Sequence, residues 1–143
     1  VAIDDLLDLS GPSRNALRDA ITQVLHCDRV AKAIKTLQKV ADERGRQLAR
    51  AKDLTVDALD GGQELKQSLI AAFSASQRAD TSYLKWAKRF AQAGCAGRTV
   101  GDPAYDAGNA ASVDATANKA AFVARWNSIA EQESLPTRTE EEI

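Results

Sequence analysis

Residues 65–90 read LKQSLIAAFSASQRADTSYLKWAKRF. Within them Leu65, Leu69, Ala72, Ser76, Ala79, Tyr83, Trp86 and Phe90 recur at alternating steps of four and three. That spacing puts them all on one face of an α-helix, the seam by which a helix packs into a bundle. No glycine or proline interrupts the run, and Gly61-Gly62 precedes it. This is the strongest periodic signal in the chain, and it predicts one long helix over 63–93.

Towards the N-terminus, Val30, Ile34, Leu37, Ala41, Arg44 and Leu48, with Val40 beside them, repeat the pattern. They predict a helix over 28–52 with Asp28 as its N-cap. Its interior Gly45 costs about 1 kcal/mol against alanine and permits a neighbour to approach closely. Leu17, Ala20, Ile21, Val24 and Leu25 mark an earlier helix over 13–26. The pair Gly11-Pro12 should break the chain before it, and Ser10 or Ser13 should cap it. Residues 1–9 are short and acidic, with Leu6 and Leu7 available for packing. Leu54, Val56 and Leu59 lie in the connection 54–62 and should plug the far end of a bundle.

Beyond residue 93, a stretch rich in glycine and small residues leads to Pro103, with Asp102 placed to cap a fourth helix. Its stripe is Ala115, Lys119, Phe122, Trp126 and Ile129; Leu135-Pro136 ends it, and 137–143 reads as a polar, acidic tail. No segment shows the strict alternation of a half-buried strand. The expectation is one all-α domain over 1–143, an antiparallel up-down-up-down four-helix bundle.

The chain has 143 residues, 44% hydrophobic and 27% charged, enough for one domain with a real core. Its net charge of -1 creates no overall field that selects nucleic acid or an acidic substrate. It contains no methionine, so Val1 is expected to follow a signal peptide or membrane anchor that has been removed. No apolar run approaches the roughly 20 residues needed to cross a bilayer.

Cys27 and Cys95 are the only cysteines, and each follows a helical stretch. In an up-down-up-down bundle the first and third connections lie at the same end. One disulfide would therefore staple two helix corners, and the protein would work outside the cytoplasm. The alternative is two reduced thiols. A bridge would enclose about 69 residues and add about 4 kcal/mol if it acts by loop-closure entropy.

Residues 76–87, SQRADTSYLKWA, followed by Cys95, resemble a recurring pattern of Ser, Ala-Asp, Tyr, Trp-Ala and Cys. Residues 119–127, KAAFVARWN, with 135–138, LPTR, resemble the same group, as does the helix around residues 37–44. The group is that of secreted or membrane-anchored helical cell-envelope proteins of actinobacteria, without assigned function. The resemblance implies an extracellular or cell-envelope location and a helical fold, and supplies no catalytic residues.

The sequence holds no glycine-rich phosphate loop and no Glu-x-x-His of a di-iron site, and no cofactor or metal is expected. His26, the single histidine, adjoins Cys27. Neighbouring residues on a helix point apart, so the two make a poor nucleophile-base pair, and one histidine is too few ligands for a metal. Trp86 and Trp126 fall on different stripes, where core packing is the expected role and each indole N–H needs an acceptor. Asn127 is placed to supply a local hydrogen bond.

Polar residues on the inner stripes carry more information. Arg44 interrupts the second helix's apolar face, Ser76 and Asp80 lie on or beside that of the third with Tyr83, and Lys119 lies on the fourth. One reading is a structural network, with Arg44 paired to Asp80 to set helix register. The other is a pocket between helices for a small polar or anionic ligand. Lys32, Lys35, Lys39, Arg46 and Arg50 share one outer face of the second helix. Such a stripe is either a solvated face or a contact for another envelope protein or an anionic surface. No aromatics are interleaved with it to stack bases, which argues against nucleic acid. Two functions remain: a non-enzymatic extracytoplasmic interaction or sensor module, or a small-ligand-binding domain.

Overall fold

The structure is a computed structural model that describes residues 2–143. It is all-helical. A short helix α1 (Ala2–Leu7) leads into four long ones, α2 (Ser10–Leu25), α3 (Val30–Lys52), α4 (Gly62–Gln92) and α5 (Pro103–Gln132), and a single 3-10 turn spans Glu140–Glu142. Consecutive long helices pack side by side and antiparallel. Arg44 of α3 meets Asp80 of α4, whereas Lys88, later in α4, reaches back to the earlier Gln38. The bundle expected from the stripes is therefore the fold. None of its helices is long and apolar enough to cross a membrane.

Several helix ends differ from expectation. Gly11 and Pro12 lie inside the first turn of α2, and the break comes earlier, at Asp8 and Leu9. Proline is tolerated there because a first-turn N–H has no intrahelical acceptor to lose. Ser10 and Ser13 are buried and cap nothing: the Ser10 hydroxyl donates to Gln47 Oε1 at 3.4 Å, and Ser13 to Glu43 Oε2 at 3.3 Å. Nor does Asp28 cap α3, whose first flanking residue is Arg29 in the left-handed region. The chain leaves α2 instead through a C-terminal turn in which the Asp28 N–H reaches the Gln23 carbonyl and the Cys27 N–H reaches Val24. That 6→1 and 5→2 pair satisfies the orphaned carbonyls of the helix end. Asp102 behaves as expected, its carboxylate accepting from the N–H groups of Ala104 and Tyr105.

The α2 and α4 C-termini lie at one end of the bundle. Cys27 and Cys95 are joined there, with their Cα atoms 6.1 Å apart. The apolar interior falls into two clusters. One surrounds Leu37, Leu84, Trp86 and Val24 near the disulfide; the other surrounds Leu6, Leu7, Phe73, Phe122 and Trp126 at the opposite end. Val56 is buried in the second cluster, with Leu54 and Leu59 packed against it, as the plug reading requires.

The tail is not a solvated appendage. Ile143 is fully buried in the second cluster, and Arg138 pairs with Asp4 and, at 2.7 Å, with Asp8. The Trp126 indole donates to the Pro136 carbonyl at 3.0 Å, and the Asn127 amide brackets the backbone of Arg138. Trp126 is buried and Asn127 partly so; both need a partner, and the returning chain supplies it.

The residues joined by the disulfide are 68 apart. Replacing both with serine should lower unfolding stability by about 4 kcal/mol if loop-closure entropy dominates. Urea denaturation of native and doubly substituted protein measures it; equal midpoints would show that the bridge constrains nothing.

Candidate functional site

Between the two apolar clusters lies a polar waist. Ser10, Ser13, Arg44, Gln47, Ser76, Asp80 and Lys119 are all buried. The bundle is also unevenly closed at this level. Each of α2–α3, α3–α4 and α4–α5 is a close pairing, but α2 and α5 do not approach comparably. One cause sits on α5, where Ala104, Gly108, Ala111 and Ala115 present a flat face to α4. A Cβ on Gly108 would lie 2.7 Å from the Tyr83 ring, so α5 is drawn tightly against α4 and away from α2.

The gap is a cleft of about 230 Å³. Helix α2 contributes Arg14, Leu17, Arg18 and Ile21, and α5 contributes Ser112, Ala115, Thr116 and Lys119. Its floor is Arg44 from α3 with Ser76, Ala79, Asp80 and Tyr83 from α4. All five polar positions singled out from the sequence thus meet in one concavity. Arg14 and Arg18 were not among them, although they share a helical face with Leu17 and Ile21. That spacing was the signal available. Ser112 and Thr116 were not among them either, although the same spacing puts them on one helical face with Ala115 and Lys119.

Arg44 is 1% exposed and Asp80 fully buried. Arg44 Nε stands 3.5 Å from Asp80 Oδ2, an ion pair too poorly aligned to count as a hydrogen bond. The other end of the guanidinium is better served. Nη1 donates to Gln47 Oε1 at 3.2 Å and to Ser10 Oγ at 3.5 Å, and the group lies over the Phe73 ring. Arg44 Nε, Ser76 Oγ and both Asp80 carboxylate oxygens find no hydrogen-bond partner within the protein. Buried polar atoms are satisfied in the great majority of cases, so four orphans at one cleft form a distinctive concentration. Tyr83 is better placed: its hydroxyl donates to Asn109 Oδ1 at 2.7 Å and lies 3.3 Å from Ser112 Oγ.

Lys119 is 7% exposed and makes no ion pair among the described residues. Burial and the nearby positive charges of Arg44 and Arg14 pull its pKa down to about 7, against the opposing pull of Asp80. Burial pushes the Asp80 carboxyl up to about 6, opposed by Arg44 and Lys119. At neutral pH the cleft therefore carries an ionised carboxylate, at least three cationic side chains and a lysine poised between charge states.

Other expected positions lie elsewhere. His26 is exposed, and its Nδ1 donates to the Thr22 carbonyl at 2.9 Å. Trp86, buried with Tyr105 and Phe90 around it, has an indole N–H without an acceptor in the protein. The basic residues Lys32, Lys35, Lys39, Arg46 and Arg50 are exposed along α3, with Lys39 3.9 Å from Glu43.

Two outcomes follow from this geometry. Arg44→Ala or Asp80→Ala alone should cost about 3–5 kcal/mol, because each strands a buried charge. Unchanged denaturant midpoints would show the pair to be solvated. For pH, Lys119 has a folded pKa below its unfolded one, so between about 7 and the ordinary lysine value of about 10.4 the unfolded chain binds the extra proton. Stability should rise with pH through that window. Asp80 acts on the other side: its raised pKa makes stability fall as pH rises from about 3.9 to about 6. In Lys119→Met the alkaline rise should vanish, and urea titrations at neutral and alkaline pH will show whether it does.

Comparisons with protein-family models, with curated proteins and with solved structures return no match, so the cleft itself is the ground for a functional reading.

Proposed function

We propose that this chain is an extracytoplasmic, non-enzymatic module that binds a small anionic ligand in the cleft between α2 and α5. The observation that carries the reading is an open cleft whose lining sets Arg14, Arg18, Arg44 and Lys119 against the one carboxylate of Asp80, over a floor where buried polar atoms lack protein partners. A network that served only register would close on itself. Charge sets the sign of the ligand. Arg14, Arg18, Arg44 and Lys119 outnumber Asp80, and a low-dielectric recess strengthens their attraction for an anion. The volume of about 230 Å³ lies below that of pockets for drug-sized molecules, roughly 300–1,000 Å³, which favours a ligand of few atoms. Support for a location outside the cytoplasm comes from the disulfide, since such bridges persist in oxidising compartments.

The reading is non-enzymatic because no hydroxyl of the cleft is hydrogen-bonded to a base: Ser76 Oγ has no partner, Tyr83 and Ser112 meet each other, and Thr116 donates to a backbone carbonyl. Both sulfurs are tied in the bridge, and His26 is not a cleft residue. A neutral Lys119 amine could form a Schiff base with a carbonyl compound. Borohydride trapping of a keto acid on Lys119 would replace binding with catalysis.

Inorganic phosphate is the simplest probe. It should raise the melting temperature of the native protein saturably, since a ligand present at a hundredfold over its Kd contributes about 2.7 kcal/mol. Lys119→Met should fold and lose this response. Substitution of Lys32 and Lys35 on the outer face of α3 should leave it intact. A response lost with Lys32 and Lys35 and kept in Lys119→Met would move anion binding to the basic stripe.

A further inference from the structure

The anion reading leaves one feature of the cleft unused. Asp80 lies on the floor with neither carboxylate oxygen hydrogen-bonded, and Ser76 Oγ beside it on the same helix is also unpartnered. A simple anion would satisfy the cations and leave the Asp80 oxygens without donors, at a cost that falls on the complex. A ligand that fits the whole floor brings its own donor. That donor is uncharged, because Arg44 stands 3.5 Å from Asp80 and Lys119 lines the same cleft, so a ligand ammonium would meet like charge as it reached the carboxylate. The aliphatic part of the wall is Leu17 and Ile21 of α2 with Ala79 and Ala115, and Tyr83, Ser112 and Thr116 complete the lining. At about 30 Å³ for one water, the cleft holds the equivalent of seven or eight waters.

We propose, on the basis of the anion-binding reading above, that the cleft selects a short aliphatic hydroxycarboxylate. Its carboxylate sits against Lys119 with Arg14 and Arg18, its hydroxyl donates to Asp80 and accepts from Ser76, and its short alkyl part lies against Leu17 and Ile21. Asp80 thereby becomes the specificity residue. It rewards a hydroxyl through a charge-assisted hydrogen bond and disfavours a bare anion, while Arg44 and Lys119 beside it disfavour an anion that carries its own cation. A site built to hydrogen-bond a hydroxyl discriminates strongly against the analogue that lacks it, since its buried acceptor is then left unpaired.

Three ligands of one carbon skeleton isolate that discrimination: 2-hydroxybutyrate, butyrate and 2-aminobutyrate. Titration calorimetry of the whole chain at neutral pH should show 2-hydroxybutyrate binding at least about tenfold more tightly than butyrate, the size of one hydrogen bond to a charged group. It should bind more tightly than 2-aminobutyrate as well. Lys119→Met should weaken 2-hydroxybutyrate and butyrate alike, whereas Asp80→Asn should shrink the difference between them. If Asp80→Asn fails to fold, the comparison on the native protein still decides. Equal affinity for butyrate and 2-hydroxybutyrate overturns the hydroxycarboxylate while leaving an anion cleft. Preference for 2-aminobutyrate overturns it in favour of a zwitterion. If none of the three binds but phosphate protects through Lys119, the hydroxycarboxylate alone is excluded; if phosphate also fails, both readings fall.

Discussion

The buried approach of Arg44 to Asp80 is the contact around which the bundle is arranged. It joins α3 to α4 at mid-length, where the two apolar clusters meet it through Phe73 on one side and Ala79 and Tyr83 on the other. Removing two charges from water costs several kcal/mol each, and their mutual attraction offsets that only with good geometry and further hydrogen bonds. Here the geometry is loose. Gln47, Ser10 and Phe73 hold one end of the guanidinium, while the carboxylate faces the cleft without donors. Burial moves both groups towards their neutral forms, Arg44 downward and Asp80 upward, each opposed by the other. The pair thus joins α3 to α4 with a carboxylate that no protein donor satisfies.

That arrangement connects fold to function through closure. A four-helix bundle made of successive neighbours has three interfaces set by short connections and a fourth that must close by packing alone. The small-residue face of α5 is seated on Tyr83, and the α2–α5 edge is left open at the height of the polar waist. A fully apolar interior at that height would have driven the edge shut. Charged side chains there line a recess instead, with an apolar cluster on either side of it. The disulfide pins one end, and the tail ties down the other through Ile143 and Arg138. Arg14 links the two regions, since it lines the cleft and donates to the Glu140 carbonyl of the tail at 3.0 Å.

Much of this was legible in the chain. The four-three spacing through Leu65, Tyr83 and Phe90 specified a bundle helix, because burial on one face needs that period whatever the neighbours are. The two cysteines at helix ends specified a bridge, because alternating helix direction brings those ends together. Arg44, Asp80 and Lys119 stood out as charges on apolar stripes, and a charge facing a core must meet a partner or a cavity.

What the sequence could not decide was which of those two it would be. Helix caps depend on local geometry that a neighbour can override: Ser10 and Ser13 turned inward to Gln47 and Glu43 rather than capping α2. The acidic look of 137–143 concealed Ile143, which is buried in a cluster assembled from α1, α3, α4 and α5. Most of all, the cleft exists because α5 lies close to α4 and far from α2. Helical periodicity defines the face a helix buries, since that follows from backbone geometry within one segment. The distance between two faces follows from how side chains from different segments fill the space between them, and only the tertiary structure contains that.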